Sequence, residues 1–351
     1  MKVGMEMGGY WPSHDRHIDN LVPEMIEMAK LAEEVGLDEI AIGEHHFMDY
    51  GATPSPLAFA AYIGAITTRV RLMLSVLLLP VHKMPILAGE VAFVDQAIGG
   101  RLDLGVGRGG GPYEFERLAM TTNIDEMREI FDEKLELLHK LFEEKDVHFD
   151  GKYESCTKTN IMPPPRQRPH PPMWLSCMRP EAAYHVARKG YNVATTSSRK
   201  PLAWSEGMLK AFRDGVAESS GRQGPQKISN LQWAYVAKDD DDKREKQEMG
   251  YHKQRQFQGL LMNTCKAPGG IVEGVDIEET PEQVADGLMI GTINEVKEKM
   301  LEVKELGFDM LVLKTNIGPN IDDEKAGLER FAEHILPELR DEEEKAALET
   351  A

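Results

Sequence analysis

The sequence predicts a single (β/α)8 TIM barrel with insertions at the C-terminal face of the barrel. Strand-like and helix-like segments alternate along almost the whole chain, and eight strands can be counted, each followed by a helical pattern. Repeated strand–helix units form parallel sheets, and eight such units suffice to close a barrel. The 351 residues, of which 41% are apolar, suit one domain with a sizeable core.

The predicted strands are short apolar runs, as expected of strands that are buried on both faces. The longest run stops at Pro80, because proline cannot continue a central strand. The predicted strands span residues 3–7, 39–43, 70–79, 102–106, 173–176, 191–195, 231–237 and 310–313.

The predicted helices have apolar residues at helical spacing. Gly36 is a C-terminal stop for the first of them, and Pro180 stands in the first turn of another. They span residues 21–35, 56–66, 86–98, 125–144, 180–189, 204–218, 239–249, 296–306 and 324–339.

Three segments interrupt this alternation. Residues 163–172 are rich in proline, which predicts a stiff, extended connection. Residues 259–291 contain two glycine-rich points and no clear period, so we expect a lid or substrate-capping insertion there. Residues 341–351 are highly charged and predict a solvated tail after a single domain formed by residues 1–340.

The formal net charge of −18 limits the partners of the protein. An acidic surface repels phosphate backbones and anionic lipid, so we expect no nucleic acid or membrane partner. An anionic ligand must therefore be held by a local cationic site. Three cysteines without C-x-x-C spacing favour a reducing cytoplasm, and residues 1–12 show no signal-peptide pattern.

Two adjacent histidines, His45 and His46, leave the second predicted strand within the motif Gly-Glu-His-His-Phe. TIM barrels collect their functional groups at the C-terminal ends of the strands. Imidazole exchanges protons near neutral pH, so we expect one histidine to be catalytic and the other to be a hydrogen-bonded structural group. A metal site is the weaker interpretation, because no suitable third ligand lies nearby in the sequence.

The fourth predicted strand runs into a glycine-rich segment that contains Arg108. Glycine lets the backbone approach a ligand closely, and a guanidinium suits phosphate. Gly105, Gly107 and Gly110 also match the dinucleotide fingerprint G-x-G-x-x-G, and Asp125 lies near the distance expected of its ribose-binding acid. Residues 112–114, however, do not resemble the helix start that usually follows this fingerprint. A flexible turn with a solvent-facing arginine is a further alternative.

The fifth predicted strand is followed by Arg179 at the start of a helix. Helix N-termini bind phosphate through free N–H groups and the helix dipole, although a plain surface position is an alternative for this arginine. The end of the third predicted strand, residues 74–77, has the composition of buried core. The residues alone thus predict a barrel that binds a phosphate-bearing ligand beside a histidine.

The order of these motifs resembles the bacterial-luciferase-like flavin monooxygenases, over residues 1–340 and most strongly over residues 36–128. Singly the motifs are modest, but in this order they are specific. They are GEHHF at 43–47, PSPL at 54–57, TRVRL at 68–72, LPVH at 79–82, GRLDLGVGRG at 100–109 and GTINEV at 291–296.

The resemblance implies a luciferase-like barrel, here expected to be a homodimer, that binds FMN non-covalently at the C-terminal ends of the strands. It implies that His45 is the catalytic histidine, which supports formation and use of a flavin C4a-hydroperoxide. Arg108 would hold the FMN phosphate, and Ser75–Val76 would form a non-prolyl cis peptide against the flavin ring. The residues expected at the cofactor are Glu44, Ser75, Val76, Gly107, Arg108, Gly109, Arg128, Met178 and Arg179, and no metal is expected.

Two departures from the family pattern affect the expected function. Light-emitting luciferases have a reactive cysteine just before the phosphate arginine, where this chain has Gly107, so we expect flavin binding without light emission. Met178 and Arg179 occupy a turn where the family commonly has small polar residues. The segment 259–291 has no clear family counterpart and is the expected place of substrate choice.

The expected activity is that of a two-component monooxygenase. A flavin reductase supplies reduced FMN, O2 is the co-substrate, and one oxygen atom enters a small apolar organic substrate such as an aldehyde or ketone. A deazaflavin-dependent oxidoreductase that transfers hydride is the first alternative. A non-catalytic flavin-binding accessory subunit is the second, although such a chain need not keep both His45 and Arg108.

Overall fold

Parallel strands close into the predicted barrel in the computed structural model, which describes residues 1–12, 17–219 and 224–340. The predicted tail at 341–351 lies outside the described residues. The strands are β1 (Lys2–Met7), β2 (Glu39–Ile42), β3 (Arg71–Leu78), β4 (Leu102–Gly107), β5 (Val147–Asp150), β6 (Ser155–Thr159), β7 (Met173–Ser176), β8 (Asn192–Thr196), β9 (Ile228–Val236), β10 (Met289–Gly291) and β11 (Met310–Lys314).

The barrel contains all of these strands except β5, β6 and β10. Its strands pair in the order β1-β2-β3-β4-β7-β8-β9-β11, and β11 pairs with β1 to close the ring. The α-helices are α1 (Leu21–Glu34), α2 (Pro56–Ile66), α3 (Met84–Ala97), α4 (Pro112–Arg117), α5 (Ile124–Glu143), α6 (Pro180–Arg188), α7 (Leu202–Ala217), α8 (Asp240–Leu261), α9 (Pro281–Asp286), α10 (Ile293–Leu306), α11 (Ile321–His334) and α12 (Leu336–Leu339).

The strands form a barrel because both of their faces are apolar. Side chains pointing outwards join those of the helices in one large core cluster. Side chains pointing inwards form a smaller cluster that fills the barrel, so the interior is packed and is not a pore. The inner cluster comprises Ala41, Met73, Trp174, Ala194, Met310 and Val312.

Several elements differ from those that the sequence pattern predicts. The predicted helix 324–339 is divided at Ile335 into α11 and α12, and Pro337 stands in the first turn of α12. The predicted insertion 259–291 contains the end of α8, all of α9 and the strand β10, which extends the sheet beside the upper part of β9. The hairpin β5–β6 and the short helix α4 were not predicted.

Parallel strands bring all of their C-terminal ends to one face of the barrel, where the segments that follow β2, β3 and β4 lie together. The connection 163–172 contains neither helix nor strand, and bends occupy much of it, so it is not extended throughout as the sequence predicted. No helix of the described residues is both long and apolar enough to cross a membrane. All three cysteines lie within the described residues and form no disulfide.

Candidate active site at the C-terminal face of the barrel

The strands β3 and β4 approach each other too closely for side chains on the facing part of β4. The ladder between them shifts register between Leu74 and Leu77, and the intervening Ser75–Val76 peptide bond is cis, as the resemblance implies. A Cβ atom on Gly105 would overlap the carbonyl oxygen of Leu74. A Cβ atom on Gly107 would lie 2.6 Å from Cγ2 of Val76.

This packing, and not the binding of a dinucleotide, explains the glycines that match the dinucleotide fingerprint. Its first two glycines serve the contact between β3 and β4, and its third, Gly110, has open space around its Cα atom. The helix that follows, α4, has only six residues. Gly109 has a φ of 84°, and a Cβ atom there would meet the ring of Phe115, so it turns the chain sharply after Arg108.

Three of the residues predicted at the phosphate come together and form an arginine cluster of Arg108, Arg128 and Arg179. Burial lowers the pKa of Arg108, and the positive charges of the other two arginines lower it further, while Asp125 acts in the opposite direction. Arg128 donates to Asp125 over 2.8 Å, in the first turn of α5. Within the described residues, Arg108 forms no ion pair. Arg108 is half-buried, whereas Arg128 and Arg179 are exposed. Three neighbouring cations on an acidic protein are suited to a multiply charged anion.

Met178 and Arg179, both predicted at the cofactor, lie at the start of α6. Arg179 is the N-cap of this nine-residue helix, and its side chain makes no capping hydrogen bond. The free N–H groups of the first turn therefore lie beside the arginine cluster. Met178 is half exposed at the same place.

Glu44 is buried at the end of β2 and fixes the ends of two neighbouring strands. One carboxylate oxygen lies 2.9 Å from Nε2 of His46 and 2.8 Å from Nε2 of His82, and the other accepts the backbone N–H of Leu78 over 2.7 Å. Burial alone would raise the pKa of Glu44, but the hydrogen bonds from His82, Leu78 and His46 outweigh it and lower the pKa. Its carboxylate is thus turned towards protein groups.

The two adjacent histidines have different surroundings, because Glu44 holds His46 whereas His45 opens to the barrel mouth. The His45 side chain is 45% exposed, and its Nδ1 lies 3.5 Å from a carboxylate oxygen of the buried Glu114. The other oxygen of Glu114 accepts the backbone N–H of His46 over 2.7 Å. Gly51 leaves room for the His45 ring, since a Cβ atom there would lie 2.7 Å from Cδ2.

The sequence analysis missed Glu114, which is distant from His45 in sequence and lies on the unpredicted helix α4. It also missed an ion pair at the top of the barrel interior, where Lys314 lies 3.1 Å from the buried Glu6. A signal for this pair was present, because each is a charged residue that follows apolar residues near the C-terminal end of its strand.

A third missed residue, Lys253 of α8, is fully buried above this ion pair. Its Nζ donates to the carbonyl oxygen of Asn316 over 2.6 Å and lies 3.8 Å from the ring centroid of Tyr10, with Tyr50 and Trp233 close by. Burial and the nearby Lys314 hold the pKa of Lys253 well below its usual range. One side of the barrel mouth is therefore aromatic around the Lys253 amine.

The predicted capping segment packs over the loop that carries His45. Asp49 donates its N–H to Gly270 over 2.9 Å and accepts the N–H of Val272 over 2.9 Å. Val272 is also buried in a cluster with Tyr10 and Tyr113. The role of this segment as a lid remains a prediction.

Comparison with known proteins identifies the family. The family described as luciferase-like monooxygenase matches residues 7–310. The chain belongs to this family. The resemblance drawn from the motifs and the predicted barrel are both confirmed, and the protein is an oxidoreductase.

Relatives in the luciferase-like family use more than one cofactor. The oxygenase component of a flavin-dependent trigonelline monooxygenase from Acinetobacter baylyi is 26% identical, over 90% of this chain and 89% of the relative. An F420-dependent glucose-6-phosphate dehydrogenase from Nakamurella multipartita is 29% identical, over 90% of this chain and 92% of the relative. The solved structure of monooxygenase RslO1 from Streptomyces bottropensis has a TM-score of 0.84 at 26% identity, and the match covers 97% of this chain and 100% of that one.

The close approach of β4 to β3 predicts that substitution by alanine destabilises the protein more at Gly107 than at Gly110. Gly107→Ala should lower the free energy of unfolding by about 1–3 kcal/mol, because the new methyl group would force Val76 to move. Gly110→Ala is the matched control and should change it by less than about 1 kcal/mol, because nothing occupies that space. Urea unfolding curves measure both, and equal midpoints would contradict the packing argument.

Proposed function

We propose that this protein is the oxygenase component of a two-component monooxygenase. It takes reduced FMN from a separate flavin reductase and uses O2 to oxygenate a small organic substrate. The arginine cluster beside the glycine-rich end of β4 carries this proposal. When bound, reduced FMN supplies the two electrons with which one oxygen atom of O2 becomes water and the other enters the substrate.

The charge of the arginine cluster supports the choice of FMN. A phosphate monoester carries roughly one and a half to two negative charges near pH 7, as phosphoserine does. Three arginines and the N-terminus of α6 match a group of this charge. The F420-dependent relatives nevertheless keep the deazaflavin oxidoreductase as the second candidate.

The surface next to this cluster suits a flat ring system. Gly107 presents only backbone, and the Val76 side chain packs against it. Ser75, Val76, Gly107 and Gly109 can therefore lie along a planar cofactor, while the arginines bind its phosphate. Glu44 would act beneath this surface, by holding the strand ends in place.

His45 is the residue that we propose to exchange protons during the reaction. With Nδ1 facing Glu114, Nε2 is the nitrogen available to a bound molecule. The buried carboxylate of Glu114, 3.5 Å from Nδ1, orients the ring so that Nε2 can exchange a proton with a bound molecule. The capping segment that packs over the His45 loop would exclude water from this point.

The substrate that we propose has an apolar body. Tyr10, Tyr50 and Trp233 line one side of the mouth. The ion pair of Glu6 and Lys314 beneath them adds a polar floor, so a carbonyl or another polar group on the substrate would also find partners there.

We also propose that two copies associate as a homodimer. Tyr62 on α2 and Ile86 and Phe93 on the neighbouring α3 are 52%, 65% and 63% exposed. Large exposed apolar side chains on adjacent helices are typical of a protein–protein contact, and a two-fold axis would cover the helices of both copies.

The FMN proposal predicts an order of cofactor affinities. In anaerobic titrations, reduced FMN should bind more tightly than reduced riboflavin or reduced F420. Arg108→Met should weaken FMN binding by roughly 10- to 100-fold and leave riboflavin binding nearly unchanged, because only the phosphate contact is lost. The exposed Arg188→Met is the control and should bind FMN like the wild type. Tighter binding of F420 than of FMN would favour the dehydrogenase instead.

The role of His45 can be measured without knowledge of the substrate. After oxygen is mixed with the protein bound to reduced FMN, the wild type should release H2O2 slowly. His45→Ala should speed this release by about 100-fold, the lower end of the range for general acid–base groups, while FMN affinity stays nearly intact. Glu114→Gln should give a smaller change in the same direction, and the exposed His185→Ala should give none. Identical release from His45→Ala and the wild type would rule out this role.

The dimer proposal predicts the effect of one surface charge. Phe93→Glu should convert the dimer into a monomer in sedimentation velocity, because a carboxylate would be buried in the contact. Leu202→Glu, at another exposed apolar side chain on α7, should leave the dimer intact. A wild-type protein that sediments as a monomer would refute the proposal directly.

A further inference from the structure

Two histidines and a glutamate lie together far from the cofactor site, at the opposite end of the barrel. His139 and Glu143 are one helical turn apart near the end of α5, and His170 lies in the connection that leads into β7. One ligand atom from each residue can be chosen so that all three atoms lie within 4.8 Å of one another. We call these residues the His–Glu–His cluster.

The separations within the His–Glu–His cluster approach those of a metal centre. Nδ1 of His139 lies 3.5 Å from a carboxylate oxygen of Glu143, and Nε2 of His170 lies 3.7 Å from the same oxygen. Bonds of 2.0–2.1 Å to a tetrahedral zinc ion place ligand atoms about 3.3–3.4 Å apart. These two separations are therefore within a few tenths of an ångström of those in a zinc site, and the two histidine nitrogens, within 4.8 Å of each other, would move closer together around an ion.

Neighbouring groups orient both imidazoles for metal binding. Nδ1 of His170 lies 2.8 Å from the carbonyl oxygen of Pro171. A carbonyl only accepts hydrogen bonds, so Nδ1 carries the proton and Nε2, which faces Glu143, is the nitrogen that can bind a cation. Nε2 of His139 lies 2.6 Å from the hydroxyl oxygen of Tyr191, which can accept a hydrogen bond from an Nε2–H group and so leave Nδ1 facing Glu143. Metal-binding histidines commonly have such a second hydrogen bond.

The cluster is buried on one side and open on the other. His139 and His170 are buried, whereas the Glu143 side chain is 40% exposed. A surface groove reaches His139 and Glu143, and its lining also includes Glu136, Lys140, Lys189 and Tyr191. This groove is the route by which an ion, and a water molecule as fourth ligand, would enter. Imidazole and carboxylate ligands in this number suit zinc and its transition-metal neighbours more than magnesium or calcium.

We propose that the His–Glu–His cluster binds one divalent transition-metal ion, with Zn2+ as the representative case. The ion joins the end of α5 to the proline-rich connection 163–172, which contains neither helix nor strand. The bound site lies at the end of the barrel where β7 begins, and residues at that face serve stability more than chemistry. The ion is therefore structural and takes no part in the flavin reaction.

The test is a titration of tag-free, chelator-treated protein with Zn2+ alone, followed by calorimetry and thermal unfolding. We expect one equivalent to bind and Tm to rise with the zinc concentration. Glu143→Gln should weaken zinc binding by more than about tenfold and remove the rise in Tm. Glu136→Gln, in the same groove but outside the cluster, should behave like the wild type.

Two measurements keep this test decisive. The Tm of Glu143→Gln without zinc shows whether the variant is folded, which its partly exposed position favours. Substitution with Co2+ should give the visible absorption of a tetrahedral nitrogen and oxygen site in the wild type and not in Glu143→Gln. Failure of the wild type to bind zinc, or equal binding by Glu143→Gln, would overturn the proposal and leave a hydrogen-bonded cluster. FMN affinity should be the same with and without zinc.

Discussion

The packing of β4 against the irregular end of β3 constrains the rest of the C-terminal face. No side chain fits at Gly105, because the carbonyl oxygen of Leu74 occupies its place. The chain therefore emerges from β4 as bare backbone, turns at Gly109 and presents Arg108 beside the first turns of α5 and α6. A flat backbone surface with cations at one edge follows from this single steric requirement.

Two buried carboxylates give the neighbouring histidines different tasks. Glu44 binds His46 and His82 and so belongs to the scaffold, whereas Glu114 faces His45 at the mouth. Both carboxylates also accept backbone N–H groups, which hold them at defined positions. A structural and a reactive imidazole can therefore be adjacent in sequence.

The barrel itself could be predicted because its signal is local. Apolar runs such as 102–106 and 310–313 identify themselves by composition, and most helix ends lay within three residues of the observed ones. β10 could not be predicted, because three residues gain their strand structure only from the neighbouring β9. The charged start of α8 was recognised, but its continuation to Leu261 depends on packing that the sequence pattern does not show.

The candidate site likewise contains some residues that the sequence predicts and others that only the folded structure brings together. The glycine-rich segment and Arg108 follow the end of a recognisable strand, and the rule that functional groups lie there was enough to select them. Glu114, Lys253 and the His–Glu–His cluster depend on contacts between distant parts of the chain. Their residue types are common, so only the folded structure distinguishes them from solvated surface residues.

The arginine cluster lies within a protein of net charge −18, and this contrast affects how fast an anionic cofactor arrives. Beyond a Debye length of about 8–10 Å the approaching anion meets mainly repulsion, and only near the mouth does local attraction dominate. Moderate ionic strength screens this long-range repulsion more than the short-range attraction between the anion and the half-buried Arg108. Capture of the cofactor is therefore expected to accelerate as salt rises from very low concentrations, opposite to the behaviour of an enzyme whose whole surface attracts its ligand.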